Sequence, residues 1–149
     1  MAVTFRILGP EDGAALQNVA EGVFDYAVNP DLSAEFLSDP RHHLAVAIDD
    51  ETGRVVGMAS GVHYVHPDKP PELWVNEVGV ASTHQNRGVG RHVLAALLAH
   101  GRTLGCREAW VLTDYDNTAA RHMYAAVAGV EEREPTLMIN IALDEGADV

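Results

Sequence analysis

Six consecutive residues, Gln85, Asn86, Arg87, Gly88, Val89 and Gly90, carry the most informative chemistry in this 149-residue chain. They follow an apolar stretch with strand character and lead into Val89, Val93, Leu97 and Leu104, which are spaced as one face of a helix. Backbone N–H groups in the first turn of a helix have no intrahelical acceptors, and the helix dipole adds positive potential there. Glycines at 88 and 90 let a ligand approach that backbone closely. Arg87 and Arg91 add positive charge to a chain with only 10 Lys plus Arg against 22 Asp plus Glu. The combination describes a seat for phosphate or pyrophosphate. Two better-known phosphate turns fail on the same residues. A Walker loop needs Gly-Lys-Ser/Thr, whereas Gly90 is followed by Arg91-His92; a dinucleotide fingerprint needs a third glycine, where Val93 stands.

Positioning this turn requires a strand before it and a helix after it. The spacing predicts a first strand over residues 3–8, closed by Gly9-Pro10, and an amphipathic helix over residues 11–25 from Leu16, Val19, Ala20 and Val23. A short helix over 33–38 follows, capped by Asp31 or Ser33 and stopped at Asp39-Pro40. Residues 44–48 and 55–65 read as a hairpin joined by the polar turn 49–53, and a second turn, 67–71, leads into a strand over 73–81. In that strand Leu73, Val75, Val78 and Val80 break strict alternation, which predicts a bulge. The helix after the turn is expected to end at Gly105, followed by a strand at 109–113 and a helix that starts from caps among residues 114–117 and ends at Gly129. Segments 130–133 and 137–143 are expected to be strands. The sum is a mixed α/β sheet in one domain, residues 1–149.

Composition narrows the function. Net charge is −12, a field that repels phosphate backbones, so nucleic acid is not expected as a partner and cations are. No apolar run reaches the ~20 residues of a membrane span, and no secretory signal is visible, so a cytoplasmic protein is expected. Cys106 is the single cysteine, which suits a reducing compartment. The eight histidines are scattered; His42-His43 and His63/His66 are not spaced as ligand pairs, so no metal is expected.

Gln85-x-x-Gly88-x-Gly90, preceded by Asn76-Glu77-Val78-Gly79-Val80 and followed by Asn117-x-x-Ala120-x-x-x-Tyr124, resembles the GNAT acetyltransferase superfamily, in an order of elements that covers nearly the whole chain. The resemblance implies a mostly antiparallel central sheet with helices on both faces and a splayed strand pair at the coenzyme A site. It implies that Gln85, Asn86, Arg87, Gly88, Val89, Gly90 and Arg91 hold the coenzyme A pyrophosphate. Val78, Gly79 and Val80 would pair with the pantetheine arm, with the Val78 N–H as oxyanion donor. Asn117 would contact that arm, its alternative role being a helix cap. Attack of an amine on a thioester calls for a base and an acid. Tyr124 is the expected acid. Glu77, expected to be partly buried beside the cofactor strand, is the expected base, with binding of the substrate amine as its alternative role.

The stretches 72–80, 112–115 and 131–134 with 139–141 also resemble aminoglycoside 3-N-acetyltransferases, although Trp74 and Asn76 depart from the aromatic residues expected there. A small polycationic amine held by Glu77, Asp114 and Asp116 is the acceptor this implies, with residues 131–134 adding to an acidic cleft. A protein or peptide N-terminal acetyltransferase and a non-catalytic acyl-CoA-binding regulatory module are the alternatives. The resemblance also implies a homodimer.

Overall fold

The structure, a computed structural model, describes residues 2–146. Five strands, β1 (Val3–Ile7), β2 (His42–Asp49), β3 (Val55–His66), β4 (Lys69–Val80) and β5 (Ala109–Val111), form one sheet in chain order. Neighbours are antiparallel up to β4, and β4 pairs with β5 in parallel. Alternation along β2 explains the layers. Leu44 and Val46 pack with Leu37 of α1 (Pro30–Ser38) and with Val56 and Met58. Ala45 packs with Ala59, Leu73 and Val75 against Val93, Leu94 and Leu97 of α2 (Val89–Thr103). A strand covered on both faces reads as a continuous apolar run, as residues 44–47 do. Full burial of one such leucine contributes about 2–3 kcal/mol. The last helix, α3 (Thr118–Ala126), packs beside α2. Among the described residues no helix is long and apolar enough to cross a membrane.

Helix ends follow local chemistry. Asn29, rather than Asp31 or Ser33, caps α1: its side chain accepts from the N–H groups of Asp31 and Leu32, and Pro30 takes the first helical position. Gly105 (φ 85°) closes α2, with its N–H on the Arg102 carbonyl (3.1 Å) and that of Cys106 on the Gly101 carbonyl (3.1 Å). After α3 the left-handed position falls on Ala128 (φ 67°), one residue before the glycine expected to end that helix.

Several expected elements differ. The helix over 11–25 is replaced by a 3-10 turn at Gly13–Gln17 and an irregular segment, because Ala20 N–H bonds to the Val55 carbonyl (2.9 Å) and Gly22 turns left-handed (φ 88°). Leu16, Ala20 and Val23 are still core, delivered by a different backbone path. The 67–71 turn is tighter than expected: His66 already pairs with Lys69, and Pro70 and Pro71 lie within β4. Segments 130–133 and 137–143 do not form strands, and β5 stops at Val111. Alternation alone makes no strand without a ladder, and Leu137, Ile139, Ile141 and Leu143 are 75–96% exposed.

Polar side chains also sit in the core, His43 among them. His43 is buried, and its two ring nitrogens face His63 Nδ1 (2.7 Å) and His100 Nε2 (3.1 Å), so one proton serves each contact. Burial first, then the like charges of His100 and His63, depresses the His43 pKa from 6.5 to about 4. The unfolded chain therefore binds a proton near pH 6.5 that the native state refuses until about pH 4. Stability from this site is complete above about pH 6.5 and is lost as pH falls toward 4, by up to about 3 kcal/mol. Urea midpoints should fall already between pH 6.5 and 5, above the carboxylate range. A flat profile there would contradict a neutral His43.

Candidate active site

The strand that approaches the turn is shaped by the expected bulge. Pairing of β3 with β4 passes from Gly61–Val75 to Ser60–Glu77, which leaves Asn76 as the extra residue. Beyond it Val78 and Val80 point toward α2: a Cβ on Gly90 would stand 3.4 Å from Val80 Cγ2 and 3.9 Å from Val78 Cγ1. Gly79 points the other way, where a Cβ would lie 2.0 Å from the Val23 carbonyl oxygen, so only glycine admits the 20–28 segment onto the strand. The parallel ladder with β5 covers three pairs and ends at Val75–Val111. Residues 78–80 thus run on past the end of β5 with β3 as their partner strand. This is the splayed pair that the sequence resemblance implied.

The turn itself follows a 3-10 element, Ser82–His84, and the Gln85 side chain donates back to the Val80 carbonyl (3.2 Å). Asn86 (φ 60°) and Gly88 (φ 78°) adopt left-handed backbone, and Gly88 is the N-cap of α2. No side chain caps this helix and no acid sits in its first turn, whereas Asn29 and Asn117 cap α1 and α3. The first-turn N–H groups have no side-chain cap, and with the exposed Arg87 and Arg91 beside them they could hold an external anion. These residues fit a pyrophosphate. Gly90 also has a packing role: a Cβ there would be 3.0 Å from Met123 Sδ, so this glycine lets α3 close on α2. His92 donates from Nδ1 to the Gly88 carbonyl (2.7 Å) and stacks on Phe5.

Tyr124 joins this place from α3. It is half-buried with Val78, Val111 and Met123 around Val93, Leu94 and Leu97, and burial pushes its phenol pKa up, which keeps the hydroxyl protonated. Asn117 accepts the Ala120 N–H (3.1 Å), so its side chain caps α3. Glu77, which follows the bulge at Asn76 and pairs with Ser60 of β3, is exposed rather than partly buried. Asp114 and Asp116 are exposed in the loop before α3. Glu131 is engaged by Arg121 through two contacts of 2.7 and 2.9 Å, which withdraws one carboxylate from the acidic run of residues 131–134. A cavity of about 900 Å³ lies between the 13–17 turn, the 19–28 segment and α1, with Glu21 and Asp25 in its wall. None of the sequence-derived site residues lines it.

One pair escaped the sequence reading. His84, buried, faces Asp49 at the end of β2 (Nε2 to Oδ2, 3.2 Å), and the Thr83 hydroxyl meets its Nδ1 (2.8 Å). The partners are 35 residues apart, and neither belongs to a local motif. Only the meeting of the β2–β3 turn with the end of β4 reveals them.

Comparison with known proteins agrees with this geometry. Residues 14–130 match the model of the acetyltransferase (GNAT) family. An L-2,4-diaminobutyric acid acetyltransferase of Virgibacillus pantothenticus is 31% identical over 91 residues, 61% of this chain and 55% of that one. A mycothiol acetyltransferase of Saccharopolyspora erythraea is 39% identical over 66 residues, 43% of this chain and 21% of that one. The chain thus spans about half of the first relative and a fifth of the second. Among solved structures, the fold is similar to an aminoglycoside acetyltransferase from an uncultured soil metagenomic sample, in complex with sisomicin (TM-score 0.77, 14% identity, 95% of this chain and 97% of that one). It is also similar to AAC(6')-Iy in complex with a bisubstrate analog of coenzyme A and acetylneamine (TM-score 0.75, 20% identity, 95% and 99%). With the splayed β4–β5 pair, the uncapped α2 and a family match over most of its length, the chain belongs to the GNAT family of acetyltransferases.

Proposed function

We propose that this chain, as one domain over residues 1–149, transfers an acetyl group from acetyl-CoA to a primary amine. The observation that carries the reading is the uncapped, acid-free N-terminus of α2 set beside the end of β4 that runs past its ladder with β5. Backbone N–H groups of residues 85–91, with Arg87 and Arg91, would hold the pyrophosphate, and residues 78–80 would hold the pantetheine arm. Asn117 would reach that arm while capping α3. The substrate supplies an activated thioester; the protein orients it and manages charge and protons.

The amine nitrogen bonds to the acetyl carbon while the carbon–sulfur bond breaks. Val78 N–H would stabilise the oxygen that gains charge, and Tyr124, kept protonated by burial, would give its proton to the departing sulfur. Glu77, exposed at the open end of β4, would take the amine proton directly or through water, or would bind the amine.

A small polycationic acceptor such as an aminoglycoside is supported by the net charge of −12 and by exposed Glu77, Asp114 and Asp116. The two solved relatives named above are described with aminoglycoside-type ligands. Glu21 and Asp25, in the wall of the 900 Å³ cavity, add carboxylates on the segment that lies over Gly79. The lone Cys106 suits the cytoplasm. A homodimer is supported by the exposed apolar run at 137–143, since monomers rarely leave such a patch in water.

Incubation with acetyl-CoA and separate panels of aminoglycosides, diamino acids, polyamines and peptides should release free thiol with the polycationic amines and little with peptides. Peptide-only turnover would favour the N-terminal acetyltransferase alternative, and coenzyme A binding without any turnover the regulatory one. Tyr124→Phe should lower kcat on the order of 10²-fold with coenzyme A affinity unchanged, and Glu77→Gln should flatten the rising limb of the pH–rate profile. Equal turnover and an unaltered profile would remove both roles. Light scattering should give twice the monomer mass, and Ile139→Glu with Ile141→Glu should halve it; a wild-type monomer would refute the dimer.

A further inference from the structure

Among buried polar groups that the proposed chemistry does not use, His84 and Asp49 stand apart because they join two turns that are remote in sequence. Both side chains are nearly sealed, with 8% and 5% of their surface exposed. Asp49 is already committed on one oxygen: Oδ1 accepts the N–H groups of Glu51 (2.8 Å) and Thr52 (3.3 Å) and so folds the β2–β3 turn. That turn is closed further by the Gly53 N–H on the Asp49 carbonyl (2.8 Å). Its second oxygen faces His84 Nε2 at 3.2 Å. On the opposite edge of the ring, the Thr83 hydroxyl lies 2.8 Å from Nδ1.

An ionised carboxylate only accepts, so Nε2 carries the proton that donates to Asp49, and in the neutral ring Nδ1 accepts from Thr83. Asp49 is held ionised: the backbone donors from Glu51 and Thr52, together with His84, hold its pKa below the usual carboxylate value. Both ring edges of His84 are thereby assigned, and the ring has one orientation. His84 is also tied at its main chain, through its N–H on the Ala81 carbonyl (2.8 Å), and Ala81 in turn donates to Val56 (2.8 Å).

The next residue is Gln85, the first of the turn read above as the pyrophosphate seat. An anion site built from backbone N–H groups binds well only when those groups are already aimed, since loose donors must be ordered at the moment of binding. Asn86 and Gly88, both left-handed, offer the turn other local conformations. Something outside the turn must select one.

We propose that His84, through Asp49, is a positioning residue that pre-orders the anion-binding turn for acetyl-CoA. It does not touch the acyl group; it fixes the chain one residue before the donors. This rests on the reading of residues 85–91 as the coenzyme A site.

The test compares His84→Leu, His84→Gln and Asp49→Asn with the wild type, each confirmed folded by circular dichroism, using coenzyme A in calorimetry and acetyl-CoA in steady-state kinetics. His84→Leu, which removes the donor to Asp49, should weaken coenzyme A binding about ten-fold. It should raise KM for acetyl-CoA by a similar factor while kcat stays within about two-fold. His84→Gln, whose amide places a donor near the position of Nε2, should recover most of that loss. If His84→Leu does not fold, Asp49→Asn carries the test, with weaker coenzyme A binding of about three- to five-fold. A folded His84→Leu or Asp49→Asn that binds coenzyme A like the wild type would overturn the proposal, as would a fall in kcat with KM unchanged. A wild-type protein that does not bind coenzyme A would instead overturn the functional reading on which the proposal rests.

Discussion

Everything at the site depends on where the β4–β5 ladder stops. Parallel strands held together over their whole length leave no free main chain between them, and a small sheet has no reason to forgo such pairing unless something prevents it. Here the bulge at Asn76 changes the course of β4 just after its last pair with β5, Val75–Val111. Residues 78–80 continue with one edge bonded to β3 and the other released. The same displacement brings Val78 and Val80 under the start of α2 and turns Gly79 toward Val23. A single extra residue thus opens an edge, aims a helix terminus and seats a loop.

Close packing then holds these parts in register. Gly79 allows an approach to the Val23 carbonyl that a methyl group would forbid, and Gly90 a contact with Met123 that a methyl group would crowd. Tyr124 shares the cluster of α2 side chains that supports this contact, so the phenol, the strand end and the helix start are positioned by one piece of core. The burial that locates the phenol also raises its pKa, and location and protonation state have the same cause.

Electrostatics divide the molecule. Positive potential is concentrated at an uncapped helix start in a chain whose net charge is −12, and a bound diphosphate would be drawn to that point and repelled elsewhere. The histidines resolve into distinct environments. His84 is locked against a carboxylate beside the turn, whereas His43 is held between two other imidazoles in the core. Adjacent-residue spacing hid both groupings, since their partners come from other strands and from α2.

By itself the sequence determined the strand, turn and helix around residues 85–90, the bulge before them, the hairpin, the glycine after α2 and the helix that carries Tyr124. Each of these is a local matter of periodicity, cap chemistry or backbone freedom, readable within about a dozen residues. Tertiary structure alone decided the rest. The apolar spacing of Leu16, Ala20 and Val23 was right about burial and wrong about backbone, because a hydrogen bond to Val55 outcompeted the helix. Residues 137–143 alternate as a strand should, yet pairing is a property of two segments and no partner meets them among the described residues. His84 finds Asp49 because two turns converge. Contacts between segments far apart in the chain leave no mark in local spacing, and they are what bring the turn, the strand end and α3 together.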